Sequence, residues 1–186
     1  MATSSQSITQ PRESMLQDLL HCRQASEAIC APLHAEDTCI QTMPDVSPPK
    51  WHLAHTSWFF ETFILARYLD GYTPFHPAYD YLFNSYYVTH GQPYPRPRRG
   101  LLSRPVLEDI LAYRAHVDEA MQRLVSQARE HEYADIAQLI VLGINHEQQH
   151  QELLYTDIKH ILAQNPLQPS YLSTRLHAVK QPGTIH

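Results

Sequence analysis

A chain of 186 residues, 43% hydrophobic and 18% charged, carries enough apolar side chain for one folded domain and too little charge for a disordered one. Its net charge of −5 argues against a partner held by phosphate neutralisation, so no nucleic acid is expected. Its apolar runs are only a few residues long, which excludes a spanning helix, and the N-terminal MATSSQSITQ lacks the apolar stretch of a secretory leader.

Residues 1–10 read as a flexible tail, and a helical domain is expected over residues 11–165. Helix one covers residues 11–31, with Leu16, Leu19, Leu20 and Ile29 on its apolar face and Pro32 stopping it. Cys22, Cys30 and Cys39 are odd in number and lack zinc-ribbon spacing; they read as reduced thiols in a cytoplasmic protein. Ser47 before Pro48 and Pro49 is a cap-and-proline start signal. Helix two then covers residues 49–69, where Trp51, His55, Trp58, Thr62, Leu65 and Leu69 form one stripe, and Gly71 ends it.

Residues 71–104 form a long crossover with Pro74, Pro77, Pro93, Pro95 and Pro97 and the run Asn84-Ser85-Tyr86-Tyr87. A connection of this length is usually functional or disordered. Its aromatic content argues for an ordered loop, with Tyr86 and Tyr87 packing it down. Helix three starts after Pro105 and ends near Arg129; Leu107, Ile110, Leu111, Val117, Met121 and Leu124 keep helical period, with Arg114 the polar member of the stripe. Helix four is expected from Asp135, capped with Gln138, to Gln164, and residues 166–186 read as a linker or tail. The outcome is an all-α chain: a four-helix bundle with one long crossover loop between helices two and three.

Helix four carries His146 and His150 one turn apart, on the face that also holds Leu139, Gly143 and Leu153. A single histidine on a core stripe is usually satisfied by a hydrogen bond. Two at this spacing point to metal, because neutral imidazole is the commonest metal ligand. Gly143 leaves room there for a neighbouring helix or an ion. Helix two offers a third ligand, His55, on the stripe of Trp51 and Trp58; His52 lies about 60° around the helix and is expected beside the ligands. Three imidazoles leave coordination positions open for chemistry, and they suit zinc and iron alike.

His146-Glu147-Gln148-Gln149-His150 also spells H-E-x-x-H, the zinc-protease pattern. The context opposes that reading. The extended form needs glycine at 153 and histidine at 156, where this chain has Leu153 and Thr156, and no glutamate follows Glu152. Asp157 is seven residues past His150, about 10 Å along the helix and too far for the same ligand shell.

Four segments carry a family resemblance: EDTCIQTMPDVSPPKWHLAHTSWFFETFIL (residues 36–65), YLFNSYYVTHGQPYPRPRRGLLSRP (81–105), LAYRAHVDEAM (111–121) and LGINHEQQHQELLYTDIKHIL (142–162). Together they resemble the N-terminal domain of the ergothioneine-type sulfoxide synthases (EgtB). The resemblance implies a DinB-like four-helix bundle holding non-haem Fe(II) on His55, His146 and His150, with Glu152 closing the motif. His52, Glu147 and Glu152 are then expected around the ligands. It implies small-molecule substrates: a thiol, trimethylhistidine (hercynine) and O2, joined as a sulfoxide.

An octahedral ion with three protein ligands keeps positions for reactants. Arg96, Arg98 and Arg99, with Arg104 nearby, are expected to hold substrate carboxylates. Members of that family continue into a second domain similar to formylglycine-generating enzyme, which supplies part of the pocket and a catalytic tyrosine. The sequence stops at His186, so three expectations stand side by side: a fragment of a longer protein, a partner chain that supplies the rest, or a domain that acts alone. Two other readings compete. One is a stand-alone DinB-like thiol transferase using zinc or nickel; the other is a non-enzymatic assembly module.

Overall fold

Helical periodicity in four long stretches becomes four long helices in a computed structural model, which describes residues 10–85 and 92–172. Residues 1–9, residues 86–91 with Tyr86 and Tyr87, and residues 173–186 lie outside the described part. Helix α1 is Arg12–Cys30 and α2 is Pro49–Phe60. A short α3, Tyr79–Phe83, interrupts the crossover. Helices α4, Leu107–Gln127, and α5, Glu130–Ala163, complete the bundle. Around it α1 lies beside α5, α5 beside α2, α2 beside α4, and α4 beside α1. No strand occurs among the described residues, and no helix there is long and apolar enough to cross a membrane.

Two helix-start signals differ from expectation. Helix α5 starts at Glu130, so Asp135 lies inside it and caps nothing. Glu130 and Glu132 occupy its first turn, where negative charge suits the helix dipole, and only Ala128 and Arg129 separate it from α4. Ser47 does not cap α2 either; Pro48 holds the cap position, and Ser47 is used elsewhere. The helical run that α2 opens ends at Tyr68, and Gly71, with φ of 71°, takes the left-handed position of the turn that follows, closed by the Tyr72 amide donating to the Leu69 carbonyl at 3.1 Å.

Helix α2 is buried on every side, so the single stripe expected for it understates its position. Every residue from Pro49 to Phe60 is covered, as happens to a helix walled in by neighbours. Beyond Phe60 it runs on through a π-helical stretch, Glu61–Leu65, and a last turn, Ala66–Tyr68. Glu61 stays buried and gathers the crossover: it accepts from the Tyr72 hydroxyl (2.6 Å), the Phe75 amide (3.0 Å) and the Tyr113 hydroxyl of α4 (2.6 Å).

Gly143 resolves in favour of a neighbouring helix. A Cβ added there would lie 2.4 Å from Phe60 Cε1 and 2.7 Å from Phe60 Cζ, so α5 and α2 approach closely only because the side chain is missing. Gly143→Ala is expected to lower stability by roughly 1–3 kcal/mol through overpacking, against the helix propensity that alanine adds. Urea denaturation measures it; unchanged or higher stability would show that Phe60 moves aside freely.

The polar member of the α4 stripe belongs to a buried ion network. Arg114 is fully buried and pairs with Glu147 of α5 (2.8 Å) and with Glu27 (2.9 Å), and it donates to the Leu53 carbonyl (2.9 Å). Arg23 of α1 pairs with the same Glu147 (3.1 Å) and with Asp118. The Ser26 hydroxyl donates to Glu147 at 2.7 Å. Burial alone would raise the Glu147 pKa; Arg114 and Arg23 outweigh it and hold the carboxyl down to about 2.

Candidate metal centre

Tryptophan and histidine at spacings of four and three on α2 put Trp51, His55 and Trp58 in one column. The His55 ring stacks on Trp51 (centroids 4.6 Å apart) and lies 5.5 Å from Trp58. The crossover fixes that column from outside: the Trp51 indole donates to the Leu82 carbonyl (3.1 Å) and the Trp58 indole to Asp80 (2.8 Å). The Phe83 carbonyl receives the Nδ1–H of His55 at 2.6 Å, which leaves His55 Nε2 with a bare lone pair.

From the other side, α5 brings His146 and His150. Ring centroids are 5.0 Å apart for His55 and His146, and 4.7 Å for each of the other two pairs. One nitrogen from each ring falls within 4.8 Å of the others. His146 Nδ1 is buried with no hydrogen-bond partner, a costly state for a polar atom. Burial comes first in lowering all three pKa values; neighbouring imidazoles push His55 and His150 down further. The rings are therefore neutral at neutral pH, the state in which imidazole binds metal. Three neutral imidazoles with an orphaned nitrogen fit a divalent ion of the zinc, iron or nickel kind.

The triad opens into a cleft of about 410 Å³ lined by Trp51, Arg96, Arg99, Gln149 and Leu153 among others. Of the four arginines expected to face substrate, the structure brings Arg96 and Arg99 to this cleft. Arg98 is exposed on the other side of its turn, and Arg104 bonds its neighbour's carbonyl, Ser103 O, at 3.0 Å. The reason is local geometry: Arg96–Leu101 is a 3₁₀ turn, in which residues three apart eclipse. Arg99 lies over the Trp51 ring at 3.3 Å and donates to Ser47 Oγ at 2.9 Å, while Arg96 donates to the Asp45 carbonyl.

The supporting residues divide. His52 sits beside the triad, with Nδ1 2.8 Å from His150 Nδ1. Glu147, expected around the ligands, is rotated about 100° from His146 and turns toward α1 and α4. Both its oxygens are taken by Arg23, Arg114 and Ser26, so it cannot serve as the base of an H-E-x-x-H protease. Glu152 is exposed, and its carbonyl accepts from Thr156 Oγ1 (3.1 Å). Asp157 is too far along α5 to share the ligand shell, as its spacing predicts, but it is buried and reaches His52 Nε2 at 2.9 Å, a contact the sequence reading does not foresee; its spacing of two turns from His150 was the available signal. The cysteines are unpaired, and burial pushes the Cys22 thiol up to about 11 and Cys30 to about 12.

Compared with known families, residues 18–154 match the DinB superfamily, a stretch that contains all three histidines. The chain belongs to the DinB superfamily. Among curated proteins nothing matches. DinB-like domains bind divalent metals, and in this one the His55–His146–His150 cluster is a possible site for the ion.

Proposed function

We propose that this DinB-like chain is the Fe(II)-binding part of an ergothioneine-type sulfoxide synthase. The observation that carries the reading is the placement of Arg96 and Arg99 on the same cleft as three neutral imidazoles. His55, His146 and His150 would hold the ion, and Fe(II) bound there supplies O2 activation and open positions for the reacting sulfur and imidazole. The overall reaction balances: thiol, imidazole C–H and O2 give the C–S sulfoxide and one water. Arg96 and Arg99 bind the substrate carboxylates and so orient the reacting ends toward the triad. Trp51 holds Arg99 from beneath, and Leu153 covers the rim with apolar surface.

Zinc or nickel in the same triad is the second reading. Three histidines and one open position is the arrangement of a catalytic zinc, which would activate a thiol for transfer without O2. One experiment separates the two: anaerobic protein is titrated with Fe(II) or Zn(II), then given a thiol with either trimethylhistidine or an alkyl halide that accepts the sulfur as halide leaves, with and without O2. Oxygen uptake that requires Fe(II) and both organic substrates supports the synthase. Tight zinc binding with O2-independent S-alkylation of the thiol and release of halide would replace it with the transferase.

A further inference from the structure

Asp157 and His52 form a hydrogen-bonded line into the triad that the proposed chemistry does not itself use. Asp157 is seven residues past His150 on α5, two turns along almost the same face. That leaves a gap of about 10 Å between the two positions along the helix axis. His52 of α2 fills it. Its Nε2 is 2.9 Å from Asp157 Oδ2, and its Nδ1 is 2.8 Å from His150 Nδ1. Asp157 Oδ2 also accepts the Ser47 amide at 2.9 Å, which pins the carboxylate from a third direction. His52 and Asp157 are 2% and 7% exposed, so solvent does not compete for these bonds.

The partners dictate where the protons sit. A carboxylate only accepts, so His52 Nε2 carries the hydrogen. A neutral imidazole has one N–H, so His52 Nδ1 must accept. His150 Nδ1 therefore donates, and its lone pair is left on Nε2. We infer that Asp157, through His52, is the positioning device of the metal centre: it fixes the tautomer and ring direction of His150 and so sets metal affinity. The inference rests on the triad holding a metal. It places His52 and Asp157 as positioning residues, not ligands, and gives Ser47 the task of holding the carboxylate.

The test is zinc affinity, by competition with a chromophoric chelator, in wild type, His52→Phe, Asp157→Leu and Asp157→Asn. The melting temperature of each metal-free variant is measured alongside. His52→Phe and Asp157→Leu are expected to lose 10–100-fold in affinity, the usual effect of removing a partner behind a ligating histidine. Asp157→Asn keeps an acceptor for His52 and is expected to stay within a few-fold of wild type. A purely structural tether would instead lower the metal-free melting temperature and leave affinity intact. Long-range ¹H–¹⁵N spectra of zinc-loaded wild type supply a readout that needs no variant: His150 should show a protonated Nδ1 and a ligating Nε2. A ligating Nδ1, or affinities of both disruptive variants within threefold of wild type, would overturn the inference. If wild type binds no zinc or iron at all, it is the triad reading that fails.

Discussion

Replacing Glu147 by glutamine is expected to cost about 3–5 kcal/mol of folding stability, the usual effect of breaking a buried ion pair from one side. For a chain of this size that is a fall of roughly 6–20 °C in melting temperature. The variant leaves the guanidiniums of Arg23 and Arg114, both essentially without solvent, facing a neutral amide, with one carboxylate remaining for each, Asp118 and the half-exposed Glu27. The acid limb of the stability curve gives an independent reading. Glu147 titrates near 2 in the folded chain against a usual 4.5, so its contribution is complete above about pH 4.5. That contribution is lost as pH falls toward 2. Wild type should show this loss and Glu147→Gln should not. A variant within 1 kcal/mol of wild type at pH 7 would mean that Asp118 and Glu27 alone are enough to neutralise the two arginines.

The second large effect is on metal. Because an ion that binds only the folded chain stabilises it by mass action, wild type with free zinc at a hundred times Kd should gain about 2.7 kcal/mol. Addition of a chelator should reverse that gain. His150→Ala removes one of three ligands and leaves a pair of histidines that cannot hold the ion alone. It is expected to show neither stoichiometric binding nor the thermal shift. The metal-free variant should fold, since His150 is only partly buried at the cleft edge. A full zinc-induced shift in His150→Ala would show that the ion binds elsewhere.

What could be read without coordinates was whatever repeats within one helix. His146 and His150 share a turn, and His55 shares a stripe with two tryptophans, so ligand candidates emerge from spacing alone. The all-α bundle follows from the same periodicity. Features set by partners from other helices were hidden. Nothing in the neighbourhood of Glu147 announces Arg23 and Arg114, which lie on two other helices. Arg96 and Arg98 look equivalent on paper, and only the three-residue turn separates the one in the cleft from the one in solvent. Asp157 was set aside for distance, because a bridging imidazole from another helix does not register in a linear reading. The start of α5 was missed for want of a glycine or proline between it and α4.

The stacked column on α2 has an optical consequence. The chain has two tryptophans, Trp51 and Trp58, and both indoles lie against His55. Tryptophan emission from this protein, excited to the red of tyrosine absorption, therefore originates entirely beside the candidate ligands, with no distant indole to dilute it. An open-shell ion arriving at the triad would quench that emission, whereas closed-shell zinc would leave most of it. The molecule thus carries its own gauge of whether the ion it holds is open-shell or closed-shell, readable in dilute solution and without a label.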